Sequence, residues 1–399
     1  MDRHEARLLR SGNPWLYALV RASRFTGPIR RVPRLGWLVT DPVIARRILN
    51  DHAHFSMGGE GGVGHLWTQL FGPEMAGLFD GSGHSRVRAA ARDLFTEAAA
   101  ADLVERTQGA RYRRLAKDLA NGETVDIALA TRVLSGRLVS HLLGLDHGRD
   151  PENDADGPPL ELFALGERLA SLALGTAAST DLPPGKIAEA KELVAEITRA
   201  VPHAYEHAGT DTILGRCREI GMSLELTRGL ATLLSVAGTE TGASGTSRTV
   251  ALLHDTGQMR LLLARPALLP NAVREGLRVS TPAPVIGRHV AADVTVSGRR
   301  LRSGERAVIL TYRADNDAGP FDIEREYVTQ TRQLWFGAGR HLCLGAAVAR
   351  TQVARMLEAL TESGAEWEIV GREAARGALV PTYRSLLVRS RRVPAPPSN

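Results

Sequence analysis

The sequence predicts a mainly α-helical fold with a minor β portion, on the strength of three observations. Apolar residues recur at helical spacing from His84 to about Leu253, and this region is interrupted by two polar stretches, Asp146–Pro159 and Thr176–Gly185. Strand-like alternation occurs in short pieces, at Gly27–Thr40 and between Pro284 and Leu310. Each polar stretch joins amphipathic helices of ordinary length, so we expect one compact unit rather than separate domains.

Local signals predict the elements outside the helical region. Asp41 is a helix N-cap with Pro42 at the first helical position, directly after the first strand-like segment. Residues Gly58–Gly64 include five glycines, and we expect this loop to be mobile because ordering it costs much chain entropy. The end of the chain should contain a long helix that starts near Ala346 and strands at Glu366–Val370 and Tyr383–Val388.

Length and composition are those of an ordinary globular protein: 399 residues, of which 43% are hydrophobic and 24% charged. We expect a single domain over residues 1–399. Two cysteines are too few for a disulfide framework and indicate a reducing compartment. The apolar stretch Trp15–Val20 is far shorter than the ~20 residues of a membrane span, and no targeting signature is visible. We therefore predict a cytoplasmic monomer without a membrane partner.

The net charge of +6 does not indicate a nucleic-acid partner. Only three of the 50 basic residues are lysine, and the arginines are dispersed among acidic residues without interleaved aromatics. The arginine bias is compatible with a high-GC bacterial genome. We predict no nucleic-acid binding, while a basic patch for an acidic protein partner stays open.

The segment Phe336–Gly345, which reads FGAGRHLCLG, carries the strongest chemical signal. Its glycines let the backbone turn around Cys343 and aim N–H groups at the sulfur, which favours a thiolate. A cysteine nucleophile would need a base, and His341 is only two residues away, whereas catalytic bases are usually distant in sequence. A zinc site would need three further ligands at suitable spacing. The pattern favours an axial ligand to haem over these two alternatives.

This segment resembles the haem-binding loop of the cytochrome P450 family, and further motifs support the resemblance. Glu275 and Arg278 match the family's Glu-x-x-Arg, and Phe321–Arg325 matches its meander segment. The resemblance implies the cytochrome P450 fold, with haem between a long central helix and the cysteine loop. It also implies that Glu275, Arg278 and Arg325 form a buried structural network.

The run Ala237–Gly242 lies in a helical stretch that its glycines should weaken by ~1 kcal/mol each. Such a helix requires close approach of something large, a local opening of its hydrogen bonds, or tight helix–helix packing. By resemblance this run is the central helix over the haem, and Glu240 and Thr241 are its catalytic acid–alcohol pair, which relays protons to bound dioxygen. Gly242 stands where the family often has a second hydroxyl residue, which loosens the expected pocket-side arrangement.

Haem propionates need cationic partners, and His84 and Arg88 share one helix face. The resemblance assigns these two residues to the propionates, together with Arg288 and His341. The full set of cofactor-binding residues that it implies, with Cys343 as the metal ligand, is His84, Arg88, Ala237, Arg288, Phe336, Gly337, Arg340, His341, Cys343 and Gly345.

The implied activity is that of a haem-thiolate monooxygenase that inserts one oxygen atom from O2 into a C–H or C=C bond. Electrons would come ultimately from NAD(P)H through ferredoxin and ferredoxin reductase, and the ferredoxin would dock near Arg332, Arg340, Arg350 and Arg355. Open alternatives are oxidative ring closure without oxygen insertion, a non-oxygenating haem protein, and a cysteine-nucleophile hydrolase.

The expected substrate is a hydrophobic, medium-to-large small molecule of bacterial secondary metabolism, such as antibiotic biosynthesis. This expectation rests on apolar residues at the family's pocket positions. Those sampled are Leu162, Phe163, Leu233, Val236, Ala237, Val285 and Leu386, with Ser385 beside the last.

Overall fold

The computed structural model describes residues 3–146, 156–172, 181–327 and 333–391. Most of the two predicted polar breaks therefore lies outside the described residues, as do Thr331 and Arg332 in the lead-in to the cysteine loop.

In these residues the chain forms sixteen α-helices. They are α1 (Arg3–Gly12), α2 (Pro14–Ala22), α3 (Pro42–Asn50), α4 (Val63–Phe71), α5 (Ser82–Ala91), α6 (Glu97–Ala120), α7 (Ile127–Leu143), α8 (Gly157–Ser171), α9 (Pro184–Ile197), α10 (Val201–His207), α11 (Ile213–Glu219), α12 (Leu224–Asp255), α13 (Met259–Ala264), α14 (Leu269–Ser280), α15 (Thr311–Asp315) and α16 (Ala346–Thr361).

Ten strands complete the described fold. They are β1 (Ile29–Val32), β2 (Gly36–Val39), β3 (Phe55–Ser56), β4 (Thr124–Asp126), β5 (Ile286–Val290), β6 (Val294–Val296), β7 (Arg299–Leu301), β8 (Arg306–Ile309), β9 (Trp367–Ala374) and β10 (Tyr383–Ser390). One sheet has the order β1-β2-β8-β5-β3, a second β4-β10-β9, and β6 pairs with β7. All pairs are antiparallel except β2 with β8.

The 32-residue helix α12 is the centre of the packing. It lies against α7, α8, α14 and α16, and its residues from Thr239 to Leu253 are nearly all buried. The main hydrophobic core surrounds this helix and draws on side chains from Leu8 to Val388. A second core fills the space between α3 and the five-stranded sheet. Neighbouring helices thus pack on α12 from several sides and fix the positions of its side chains.

The mainly helical prediction with a minor β portion is confirmed. Asp41 caps α3, because its carboxylate accepts hydrogen bonds from the N–H groups of Val43 and Ile44 at 2.9 and 2.8 Å. The helix predicted near Ala346 begins there, and β9 and β10 occupy the two predicted C-terminal strand positions. Helices α1 and α2 were not predicted. Strand β4 was also missed, because three residues carry no period and form a strand only by pairing with β10.

The glycine-rich loop 58–64 packs closely on the sheet rather than standing apart from it. A Cβ at Gly59 would lie 2.4 Å from the ring of His289, and one at Gly61 would lie 2.2 Å from the side chain of Arg306. His289 Nδ1 also lies 3.0 Å from the carbonyl oxygen of Glu60. Close approach therefore explains these glycines, while the mobility of the loop stays a prediction.

Among the described helices, none combines the length and the apolar character that crossing a bilayer would require.

Candidate functional site

The loop before α16 folds tightly around Cys343. Gly337 and Gly339 adopt positive φ angles of 75° and 66°, which glycine tolerates without strain. The N–H of Cys343 donates to the carbonyl oxygen of Phe336 at 2.9 Å. A Cβ at Gly339 would lie 2.6 Å from the carbonyl oxygen of Leu49, so only glycine lets this loop rest on the end of α3.

The Cys343 thiol has accessible surface although protein atoms surround much of it. It is accessible to solvent, yet burial is the strongest influence on its pKa. Leu342 beside it is also exposed, at 38%. The thiol is thus accessible to a bound group while much of its surroundings is protein.

The donors that the sequence predicts around Cys343 include the N–H of Gly345, but burial outweighs their influence on the pKa of the thiol. Burial raises the pKa of the Cys343 thiol above its usual value. The N–H of Gly345 and the guanidinium groups of Arg88 and Arg350 lower it without reversing the shift. A metal cation at the sulfur would favour its deprotonation.

The two alternative roles of Cys343 find little support nearby. His341 directs its Nε2 toward Asp80, 3.5 Å from Oδ1, and its ring packs on His84 with centroids 4.6 Å apart. This contact with Asp80 argues against a role of His341 as the base that would activate the Cys343 sulfur. No group of three or more His, Cys, Asp and Glu side chains suited to a metal ion occurs in the described part of the chain. The described residues therefore do not supply the set of side-chain ligands that a zinc site requires.

Helix α12 has an open face in the middle of its buried length. Ala237 and Gly238 are exposed, although the helix around them lies inside the molecule. Leu233, Val236 and Thr241 on neighbouring turns are partly exposed. An accessible apolar helix face and an accessible cysteine, both within a packed interior, fit a large and mostly apolar group such as haem.

Three guanidinium groups gather beside the cysteine loop. Arg88 Nη2 donates to the carbonyl oxygen of Leu342 at 2.9 Å, and Arg340 Nη2 lies 3.3 Å from that of Gly81. Arg288 is 4% exposed, and burial lowers its pKa to about 10. None of the three forms an ion pair with a carboxylate in the described residues. This concentration of positive charge fits the two carboxylates of a haem.

Neutral imidazoles complete this cluster. Burial and the nearby His341 and arginines lower the pKa of His84 to about 4, and burial also lowers the pKa of His341. Both rings are therefore neutral near pH 7 and can donate an N–H to an anion.

Sequence reasoning missed Asp80, which lies at the edge of this cluster. Its Oδ2 accepts the N–H groups of Met57 and Gly58, both at 2.8 Å, and its other oxygen faces His341. Asp80 thus ties the glycine-rich loop to the cysteine loop. The available signal was its position just before the helix that carries His84 and Arg88.

The expected acid–alcohol pair points in two directions. The Glu240 side chain is buried at 5% exposure, accepts the N–H of Val380 and leaves Oε1 without a partner. Burial, followed by the nearby carboxylate of Glu167, raises its pKa to about 8. Thr241 is half-buried and donates its hydroxyl to the Ala237 carbonyl at 2.7 Å. The structure therefore provides a protonated acid next to a threonine on the open face.

The glycines of α12 serve helix–helix packing. A Cβ at Gly238 would lie 2.9 Å from Val139 of α7, and one at Gly245 would lie 3.0 Å from Leu277 of α14. Gly242 faces α7 and α16, so the predicted loosening of the pocket side is not what this glycine does. The helix continues without interruption from Leu224 to Asp255. Tight packing explains Gly238, Gly242 and Gly245, while close approach of a large group at the open face stays a prediction.

The predicted Glu275–Arg278–Arg325 network is confirmed. Arg278 donates Nε and Nη2 to the two oxygens of Glu275, both at 2.7 Å, and both side chains are almost fully buried. Arg325 Nε, on a side chain that is 24% exposed, reaches the same carboxylate at 3.2 Å. Arg278 also donates to the Asp315 carbonyl at 2.8 Å. The network joins α14 to the meander before the cysteine loop.

Only some of the expected pocket residues face open space. Leu233, Val236, Ala237 and Val285 have accessible surface. Leu386 is 0% exposed within the main core. The neighbouring Ser385 donates to Asp126 Oδ2 at 2.8 Å across the β4–β10 pair. The predicted contribution of Ser385 and Leu386 to the pocket is therefore not observed.

Two of the expected ferredoxin-docking arginines are already paired. Arg350 forms an ion pair with Glu97, and Arg355 pairs with Glu105 at 2.7 Å and Glu358 at 2.9 Å. Arg332 lies outside the described residues. The basic character of this face is thus lower than the sequence suggests.

Comparison with known proteins decides the family. The chain is 30% identical over 385 residues to the mycinamicin IV hydroxylase/epoxidase of Micromonospora griseorubida, which covers 87% of this chain and 89% of that protein. The chain belongs to the cytochrome P450 family. The family model described as Cytochrome P450 matches residues 259–362 of this P450.

Further relatives match the P450 over shorter lengths or in fold alone. Cytochrome P450 140 of Mycobacterium tuberculosis is 39% identical over 132 residues, which is 31% of this chain and 30% of that protein. The fold agrees with P450 EryK in complex with erythromycin B at a TM-score of 0.75 and 20% identity, over 99% of this chain and 98% of that one. It also agrees with CYP268A2 of Mycobacterium marinum in complex with pseudoionone, at a TM-score of 0.76 and 19% identity, over 96% and 97%.

Proposed function

We propose that this P450 is a haem-thiolate monooxygenase that inserts one oxygen atom from O2 into a C–H or C=C bond of a hydrophobic small molecule. The observation that carries the proposal is Cys343, held accessible by a glycine-turned loop next to three arginines that form no ion pair with a carboxylate in the described residues. The resident group would be haem b, in one domain spanning residues 1–399. Haem, when bound, supplies the iron that activates dioxygen.

The residues of the cysteine loop would hold the haem in place. Cys343 would provide the sulfur ligand, and Phe336, Gly337 and Gly345 keep that sulfur fixed through the loop backbone. Arg88, Arg288 and Arg340, with the N–H groups of His84 and His341, would bind the propionates. Ala237 would offer a small, accessible contact surface.

Glu240 and Thr241 would handle protons. Because its pKa lies at about 8, Glu240 holds a proton at neutral pH and can serve as a proton donor next to Thr241. The Thr241 hydroxyl, half-buried on the open face of α12, accepts and passes on a proton at Oγ1. The apolar side chains of Leu233 and Val236 exclude bulk water from this region.

The substrate class that fits this site is a medium-to-large apolar metabolite. The open face of α12 and Val285 offer apolar contacts. Relatives include the mycinamicin IV hydroxylase/epoxidase and, at the level of fold, a post-tailoring hydroxylase involved in himastatin biosynthesis. These support a role in bacterial antibiotic or other secondary-metabolite biosynthesis, with electrons from ferredoxin and its NAD(P)H-dependent reductase.

The deciding experiment is the absorption spectrum of the dithionite-reduced holoenzyme under carbon monoxide. We expect the red-shifted Soret band of a thiolate-ligated haem. Cys343→Ser should remove that band, and Cys217→Ser should keep it, because Cys217 is buried in the main core. Absence of the band from folded, haem-containing wild-type protein would contradict the proposal.

A further inference from the structure

Three buried polar residues line one face of α12. Glu240, Ser244 and Arg248 are spaced by four residues each, so they stack on successive turns. Their exposed fractions are 5%, 0% and 0%. Buried polar groups require partners, so the direction in which this stripe points is informative.

All three side chains reach the same turn, Val380–Pro381, which precedes β10. The N–H of Val380 donates to the Glu240 carboxyl. The Ser244 hydroxyl donates to the Pro381 carbonyl oxygen at 2.7 Å, and Arg248 Nη1 donates to the same oxygen at 3.3 Å. Ser244 and Arg248 therefore hold the turn through the Pro381 carbonyl oxygen. The same turn presents the Val380 N–H to the Glu240 carboxyl.

Helix α1 closes the arrangement from outside. Arg248 Nε donates to Glu5 Oε1 at 3.1 Å and Nη2 to the other oxygen, and both side chains are buried. The pair neutralises the guanidinium charge inside the protein. Gly12, at the end of α1, lies against the same turn, since a Cβ there would be 3.5 Å from Pro381 Cα.

We propose that Ser244 and Arg248 are positioning residues for Glu240, which act by holding the Val380–Pro381 turn so that the Val380 N–H stays aimed at the carboxyl. This rests on the proton-donating role of Glu240 proposed above. Oε1 of Glu240 already lacks a partner, so the Val380 N–H is the contact that fixes the orientation of the carboxyl. A displaced turn would leave the acid without the contact that fixes its orientation.

The chain offers a matched control for this role. Ser247 lies on the same helix and is as buried as Ser244, but its hydroxyl donates to the Ala243 carbonyl of its own helix at 2.8 Å. Ser247→Ala therefore removes a buried serine hydroxyl without touching the turn. Ser244→Ala removes the hydroxyl that holds Pro381, and Arg248→Lys keeps the charge opposite Glu5 while giving up the forked contact.

The test is the infrared C=O stretching band of protonated Glu240 in the purified holoenzyme, identified as the band that Glu240→Gln removes. We expect Ser244→Ala and Arg248→Lys to move it to higher frequency, because its hydrogen bond from Val380 weakens, and Ser247→Ala to leave it in place. With a panel compound that shows a binding shift, hydrogen peroxide released per product should rise roughly tenfold in the first two variants, as misplacement of a reacting group implies.

An unmoved band in both Ser244→Ala and Arg248→Lys, or an equal shift in Ser247→Ala, would overturn the inference. The carbon monoxide spectrum separates this failure from that of the proposed function. A thiolate band together with an unmoved Glu240 band rejects only the positioning role. A shifted Glu240 band without a thiolate band supports the positioning role and rejects the monooxygenase.

Discussion

The carboxyl of Glu240 lies among groups that favour its neutral form. Burial raises its pKa to about 8, the carboxylate of Glu167 adds to the shift, and the N–H of Val380 opposes it. An unfolded glutamate has a pKa near 4.3, so between these two values the folded protein binds a proton that the unfolded chain releases. Stability from this group is present at low pH and is lost as pH rises toward 8.

We therefore expect Glu240→Gln to flatten the pH dependence of stability. Relative to the variant, the wild-type free energy of unfolding should fall by on the order of 1.4 kcal/mol per pH unit between about pH 5 and 8. Denaturant unfolding of both proteins at several pH values in this range measures the difference. Equal slopes would mean that Glu240 is ionised in the folded protein.

Arg288 carries the strongest evidence for an anion site. It is almost fully buried, donates Nη1 to the Gly287 carbonyl at 2.9 Å and has no carboxylate in ion-pair contact among the described residues. A buried cation without a direct ion pair is costly, which supports the proposed role of Arg288 in binding an anion.

Arg288→Gln should accelerate haem loss from the holoenzyme by about tenfold or more, since a hydrogen bond to a charged group contributes about 1.5–3 kcal/mol. Haem transfer to excess apomyoglobin measures the rate. Arg299→Gln, an exposed arginine on β7, serves as the control and should lose haem at the wild-type rate. Equal rates in Arg288→Gln and Arg299→Gln would remove Arg288 from the cofactor site.

Helix α12 is positioned by glycines on itself and on its neighbours. Gly276 of α14 lies directly against Thr249, whose hydroxyl would be 2.2 Å from a Cβ at that position. Thr249 is fully buried and bonded to its own helix, so it cannot move aside easily. The same helix α14 carries Glu275 and Arg278, which places the structural network and the close contact with α12 on adjacent residues.

Gly276→Ala should destabilise the protein by about 1–3 kcal/mol, because the added methyl group overpacks the α12–α14 contact. Gly185→Ala is a suitable control: Gly185 is an exposed residue of α9, and a Cβ added there would meet no atom within 4 Å, so alanine should be neutral or stabilising by up to about 1 kcal/mol. Denaturant unfolding distinguishes the two. Equal stability of Gly276→Ala and the wild type would show that α14 can shift away from α12 to accommodate the added methyl group.

Across the molecule, the charge of the cysteine-side surface is set by ion pairs between helices. Glu105 of α6 pairs with Arg113 at 2.6 Å and with Arg355 of α16 at 2.7 Å, and these partners lower the pKa of its carboxyl. The pairs engage two guanidinium groups that an acidic redox partner, as proposed above, would otherwise meet. Exposed pairs of this kind contribute little to stability, so their removal should act mainly on association.

Glu105→Gln should increase the rate at which reduced ferredoxin delivers the first electron at low ionic strength, and the gain should vanish at high salt. Stopped-flow reduction of the holoenzyme under carbon monoxide measures this rate. Glu192→Gln, on the exposed side of α9, makes the same change in net charge and should have a smaller effect. Equal gains from both variants would place ferredoxin docking elsewhere.

The sequence by itself determined the elements and motifs whose signals are local. The glycine-rich turn around Cys343, the pairing of Glu275 with Arg278 three residues later, and the Asp41 cap each depend on neighbours within one loop or one helix turn. Such patterns specify backbone conformation or side-chain proximity directly, so they can be recognised in the sequence before the fold is known.

Only the tertiary structure decided the contacts between distant segments. Ser244 meets Pro381 across 137 residues, and Arg248 meets Glu5 across 243. Strand β4 exists because β10 pairs with it, and the pKa of Cys343 is raised because the fold buries the thiol. Burial and long-range pairing depend on how the chain closes on itself, and no window of sequence carries that information.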